Sequence, residues 1–221
     1  MRFTLTGTHE LSRAPERATL HLLVQHEGSR RTEVLASTRA LANSVQEEAR
    51  SLLGRGEAGP VASVHTGAVS VRSWMPTDRD GVPLARVHAA SIGLEVEFRD
   101  FEDLSIRVVE WSEQEGVTVV GLDWDLTQTT RRGLQEETLT GALADACRRA
   151  RVLAGAAGAG EVRVVEVADR GMLGGGGSEA VPAARVGARM FSAASGGGDD
   201  GLRVEPRDVV VRAEVDVVLE T

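Results

Sequence analysis

The sequence predicts an α+β fold: a long-stranded antiparallel sheet with helices packed on one face. Three observations carry that prediction. Residues 17–27, 84–98 and 204–220 alternate apolar and polar side chains with a period of two, the pattern of half-buried strands. Residues 34–53 and 139–157 repeat apolar residues at steps of three and four, the helical period. Long strand pairs joined by Pro, Asp and Gly, with only two main helices between them, favour helices gathered on one face of a sheet.

Taken in order, residues 2–6 form a short strand with Phe3 and Leu5 on one face, and 7–15 read as a turn region. Ala18, Leu20, Leu22 and Val24 give the next strand its apolar face. Ser29 is the expected N-cap of a helix, whose stripe is Val34, Leu35, Thr38, Leu41, Val45, Ala49, Leu52 and Leu53, stopped at Gly54. Strands over 61–74 and 84–98 flank the turn MPTDRDGVP. Asp100 caps a short helix with stripe Phe101, Leu104, Val108 and Trp111. Residues 117–126 form a strand with Val120, Leu122, Trp124 and Leu126 inward.

The stretch from Thr130 to Asp169 organises the rest. Leu139, Ala142, Leu143, Ala146, Ala150, Leu153, Ala154 and Ala157 make one stripe. Acids early and arginines late on the other face suit the helix dipole. Gly155, Gly158 and Gly160 end it. About 28 residues at 1.5 Å each span roughly 42 Å, which calls for a broad sheet underneath. A strand over 161–168 follows. The whole is read as one domain, residues 1–221, with a mobile Gly-rich excursion at about 170–203 that lacks the apolar surface to order itself. Strand, helix, strand, strand over 17–98 recurs over 117–220, so two β-α-β-β units are expected.

Composition narrows function. Of 221 residues, 42% are hydrophobic, enough for a core, yet only 3% are aromatic and Tyr is absent, so Val, Leu and Ala must build it. There is no Lys; the basic side chains are Arg. A net charge of −8 argues against nonspecific nucleic-acid binding and disfavours an anionic membrane surface. No apolar run approaches the ~20 residues of a membrane helix. A strand pattern begins at Arg2 in place of a signal peptide, so the expected location is cytoplasmic. Cys147, the sole cysteine, excludes an intrachain disulfide and reads as a small buried hydrophobe.

Candidate chemistry is sparse. GRGEAG, 54–59, has the GxGxxG spacing but follows a helix and precedes a strand, the reverse of a dinucleotide site. A Walker loop is impossible without Lys. His9, His21, His26, His65 and His88 lack metal-ligand spacing. Asp123 and Asp125 flank Trp124 on one strand face, where paired carboxylates hold a cation or do acid–base work, or are simply the solvated side. Met190 and Phe191 are the only bulky apolar pair in the excursion, a candidate partner contact.

Three stretches resemble the SIMPL-domain family: APERATLHLLVQHEG, with its Pro-acid-x-Ala start; LTGALADACRRARVLAGAAGAGEVRVVEV, a helix leading to a small-residue turn and a strand; and RVEPRDVVVRAEVDVVLE, a closing strand that begins near a proline. The resemblance implies an α+β fold of β-α-β-β units, homo-oligomerisation among bacterial members, and envelope or oxidative-stress roles for some of them. It supplies no catalytic residues to carry over. The resulting expectation is a non-catalytic, self-associating scaffold or stress-related protein without cofactor, metal or catalytic set. The alternative is a small-molecule or metal-binding enzyme built on Asp123, Asp125 and a histidine.

Overall fold

A computed structural model describes residues 1–54, 59–173 and 204–221. In chain order its elements are β1 (Arg2–Arg13), β2 (Arg17–Gly28), α1 (Arg31–Ser51), β3 (Val61–Trp74), β4 (Val87–Phe98), α2 (Phe101–Ser112), β5 (Val117–Asp125), α3 (Gln128–Ala156), β6 (Arg163–Asp169) and β7 (Val209–Glu220). The fold is α+β, with every strand pair antiparallel and helices laid on the sheets. The strands divide between two sheets, ordered β1-β7-β6 and β3-β4-β2-β5, in place of the single broad one expected. The chain accordingly forms two compact units, one holding β1, α3, β6 and β7, the other β2 through β5 with α1 and α2.

In the four-stranded unit, Ala18, Leu20, Leu22 and Val24 of β2 and Ile92, Leu94, Val96 and Phe98 of β4 face inward. Ala42, Val45 and Ala49 of α1 and Leu104, Val108 and Trp111 of α2 cover them. Burying such a layer is the main stabilising term of a domain this size. Trp111 is fully buried, and its indole N–H donates to Glu48 Oε2 at 3.1 Å, so the largest core side chain leaves no polar atom unpaired. Glu48 also accepts from Arg107 at 3.1 Å, tying α1 to α2.

α2 begins as its sequence requires: Asp100 accepts from the amides of Glu102 at 2.8 Å and Asp103 at 3.3 Å. α1 does not. Its N-cap is Arg30, with no side-chain cap bond, so Ser29 lies one residue too early to reach the orphan amides.

The three-stranded unit is built on α3. Leu134, Thr138, Ala142, Ala146, Ala150 and Ala154 are buried, a strict step of four, and Ala142, Ala146 and Ala150 pack with Val215, Val217 and Leu219 of β7 and Phe3 and Leu5 of β1. Leu139 and Leu153, expected on the stripe, are 44% and 46% exposed. A stripe of small residues lets the helix lie so close that larger neighbours turn outward. Thr138 satisfies its hydroxyl on the carbonyl of Leu134.

β1 continues through the predicted turn at 7–15 to Arg13, because β7 pairs with it from Arg2↔Glu220 to Arg13↔Val209. This pairing also revises the repeat. β5 is not the opening strand of a second β-α-β-β unit; it joins β2 at the edge of the first sheet. β1 takes that place, so the second unit is β1-α3-β6-β7, interrupted in sequence by the whole of the first. Most of the expected Gly-rich excursion, residues 174–203, lies outside the described residues, as do residues 55–58 of GRGEAG.

Candidate functional site

The outer face of the four-stranded sheet, opposite α1 and α2, gathers most of the polar candidates. Alternation puts Arg17, Thr19, His21 and Leu23 of β2 on this face, because their neighbours Ala18, Leu20, Leu22 and Val24 are buried. Register then sets the rows. His65 of β3 stands opposite Glu95 of β4, which stands opposite His21 of β2. One step along, Ser63, Glu97, Thr19 and Asp123 form the next row, and Arg17 pairs with Asp125 beyond it.

His21 is the centre of this array. Its Nε2 lies 3.0 Å from Asp123 Oδ2, and its Nδ1 lies 3.6 Å from Glu95 Oε1. An ionised carboxylate only accepts, so the ring donates to Asp123. Both ring nitrogens therefore face carboxylates. The Nε2 contact is a hydrogen bond across β2 and β5, while the Nδ1 contact to Glu95 of β4 is longer than a hydrogen bond. Glu97 is paired in turn with Arg17 at 3.4 Å and with the Ser63 hydroxyl at 3.0 Å. Of the two carboxylates singled out from sequence, Asp123 meets a histidine, and Asp125 stands opposite Arg17 in the strand register. Among the described residues, no three His, Cys, Asp or Glu side chains are placed to share a metal ion.

The other histidines are dispersed. His88 Nδ1 bonds Ser73 Oγ at 2.6 Å. His9 packs its ring on Gly141 of α3, and His26 lies beside Gly116. Cys147 is half-buried beside the α3 core. Met190 and Phe191 lie outside the described residues.

Beside His21 the outer face sinks into a shallow trough of about 340 Å³, lined by His21, Leu23, His65, Gly67, Gly93, Glu95 and Val120 among others. That is the small end of the range for ligand sites. Val120 was expected inward, yet it is 58% exposed. The cause is a bulge: His21 pairs with Gly121 but Leu22 with Val119, which leaves Val120 unpaired and turned out.

The same face runs out along β3 and β4 to the hairpin tip. From His65 to Trp74 almost every residue of β3 is exposed. Trp74, Met75, Val82 and Leu84 crowd the tip as exposed large apolar side chains. The turn is closed by its own hydrogen bonds. Asp78 Oδ1 accepts from the amides of Asp80 at 3.0 Å and Val82 at 2.8 Å, Leu84 N–H donates to Pro76 O at 2.7 Å, and Gly81 takes φ +80°. Arg72 stacks over the Trp74 ring at 5.5 Å.

Glu95, Gly67, Gly93 and the hairpin tip were not singled out from sequence as functional. Glycines inside strands were the available signal, since they weaken a strand and mark close approach of another group. What could not be read was which residues lie across from them.

No helix among the described residues is long and apolar enough to cross a membrane. The family model for SIMPL, a protein of unknown function (DUF541), matches residues 3–219. No curated protein matches the chain.

Proposed function

The chain belongs to the SIMPL family, and from that premise we propose that it acts as a non-catalytic, self-associating interaction protein. The observation that carries this reading is the β3–β4 hairpin: four large apolar side chains are exposed at the end of β3 and on a turn closed by its own hydrogen bonds. Exposed apolar groups gathered at one place mark an interaction surface. β6 adds to the case. It is an edge strand of its sheet among the described residues, with Val164, Val165 and Val167 exposed. Light scattering across a concentration series tests the reading: mass should rise with concentration, and a monomer throughout would overturn it. A scaffold role toward a further protein partner is the extension of the same reading.

A second reading, a small-molecule or metal-binding enzyme, draws on the His21–Asp123 bond. It requires metal in the purified protein, or ligand binding that Asp123→Asn abolishes. Metal-free protein whose ligand binding is untouched by that substitution would retire it.

A further inference from the structure

The two β-α-β-β units share one strand order. The sheet of the first runs β3-β4-β2 and that of the second β6-β7-β1, so β1 is the counterpart of β2. On the far edge of β2 lies an antiparallel strand, β5, paired from Arg17↔Asp125 to Val24↔Val117. On the far edge of β1, two side chains of α3 take backbone groups. The Thr8 N–H donates to Asp145 Oδ2 at 3.4 Å, and Arg149 Nη1 donates to the Thr6 carbonyl at 2.6 Å.

In a strand, the carbonyl of one residue and the amide two residues on point to the same edge. With β7 on the other side, Thr6 C=O and Thr8 N–H point to where a neighbouring strand would lie. Asp145 offers an acceptor in the place of such a strand's carbonyl, and Arg149 a donor in the place of its amide. The two sit one helical turn apart, with Arg149 Nη1 4.0 Å from Asp145 Oδ2, and Arg148 also donates to Asp145. Gly7, between Thr6 and Thr8, admits α3 closely enough to place them, since a Cβ there would stand 2.0 Å from the Ala142 carbonyl oxygen. Both bonds to β1 involve an ionised group, the stronger class, and a strand arriving at this edge has to displace them.

We infer that Asp145 and Arg149 are an edge clamp that stands in for a fourth strand and keeps β1 from pairing with the β1 of a second copy. Strand edges invite such pairing unless they are blocked, and β1 is complementary to itself. In an antiparallel register centred on Thr6, Arg2 falls opposite Glu10 of the second copy and Thr4 opposite Thr8, while Phe3, Leu5, Gly7 and His9 stay on the α3 side. Within each copy Arg2 stands opposite Glu220 and Glu10 opposite Arg212. The joined row would read Glu220, Arg2, then Glu10 and Arg212 of the second copy, alternating in sign, and opposite charges across strands stabilise a sheet. The β3–β4 hairpin belongs to the other unit, so this inference does not rest on the reading of that hairpin.

The clamp is removed in the double variant Asp145→Ala/Arg149→Ala, with circular dichroism verifying its fold. Light scattering should show association roughly tenfold tighter than wild type under the same conditions. Adding Arg2→Glu or Glu10→Arg to that variant should return the affinity to the wild-type level, because like charges then face each other. An equimolar mixture of those two should regain it, because each Glu then meets an Arg. Unchanged association of the folded double variant overturns the inference, as does a gain that the charge variants leave intact or a mixture that fails to regain it. If the double variant does not fold, Arg149→Gln, at a half-exposed side chain, frees the Thr6 carbonyl alone. A gain of roughly threefold, reversed by the same charge substitutions, then supports the clamp, and no gain overturns it.

Discussion

A Cβ built on Gly7 would stand 2.0 Å from the carbonyl oxygen of Ala142 and 2.9 Å from the Cβ of Ala146. Both obstacles belong to α3, and one is backbone, so the helix would have to lift from β1. Gly7→Ala should therefore lower stability by about 1–3 kcal/mol, the range for overpacked cores, visible as a lower denaturant midpoint. Gly121 offers the control, because a Cβ there meets nothing within 4 Å; Gly121→Ala should be neutral or gain up to about 1 kcal/mol. At the same β1–α3 contact, burial alone would raise the pKa of Asp145, but the Thr8 amide, Arg148 and Arg149 outweigh it and hold the carboxyl below its ordinary value. A depressed carboxylate stabilises the fold above its unfolded pKa of about 3.9 and loses that contribution as pH falls through the lower folded value. Wild type should thus exceed Asp145→Asn in urea midpoint at pH 7, with the gap closing as the pH is lowered from about 4. In isolation Gly7 reads as a chain breaker, which is why its role in the helix contact was not legible; the alanines that receive it were.

Among the elements, caps give the sharpest contrast. Asp100→Ala removes two bonds to the first turn of α2 and should cost about 1 kcal/mol. Ser29→Ala should leave thermal stability unchanged, since α1 is capped at Arg30 without a side-chain bond. Both residues fit the N-cap preference in sequence, and only the backbone geometry separates them. Strand faces were legible in the same partial way. The apolar set of β4, Ala90 through Phe98, is buried as its alternation requires. β5 kept its alternation only up to a point, because one extra residue at Val120 shifts the phase, and a bulge leaves no mark in composition. The α3 stripe was displaced for a related reason: the helix buries a column of small residues at steps of four, and large apolar side chains such as Leu139 and Leu153 do not fit under it.

Across the whole molecule, the second β-α-β-β unit is discontinuous. β1 opens it, and the entire first unit intervenes before α3. Closing so long an excursion costs only slowly growing loop entropy, and twelve paired positions with β7 compensate it. Deleting residues 1–14 should consequently remove hydrogen-exchange protection from α3 and β7 while β2 and β4 keep theirs; uniform loss or uniform retention would contradict the division into two units. Local periodicity by itself determined the α+β class, the existence of all three helices and of the strands, and the buried side of β2 and β4, because those depend on the spacing of apolar groups along a few residues of chain. The family resemblance came from three particular stretches in their order along the chain. Only the tertiary structure decided that two sheets form in place of one, that β1 and not β5 completes the second unit, and that His21 meets Asp123 and Glu95 beside a bare-backbone trough. Each of those is a pairing between strands up to some two hundred residues apart, and register between distant strands is set by the total burial of the fold, which no local window contains.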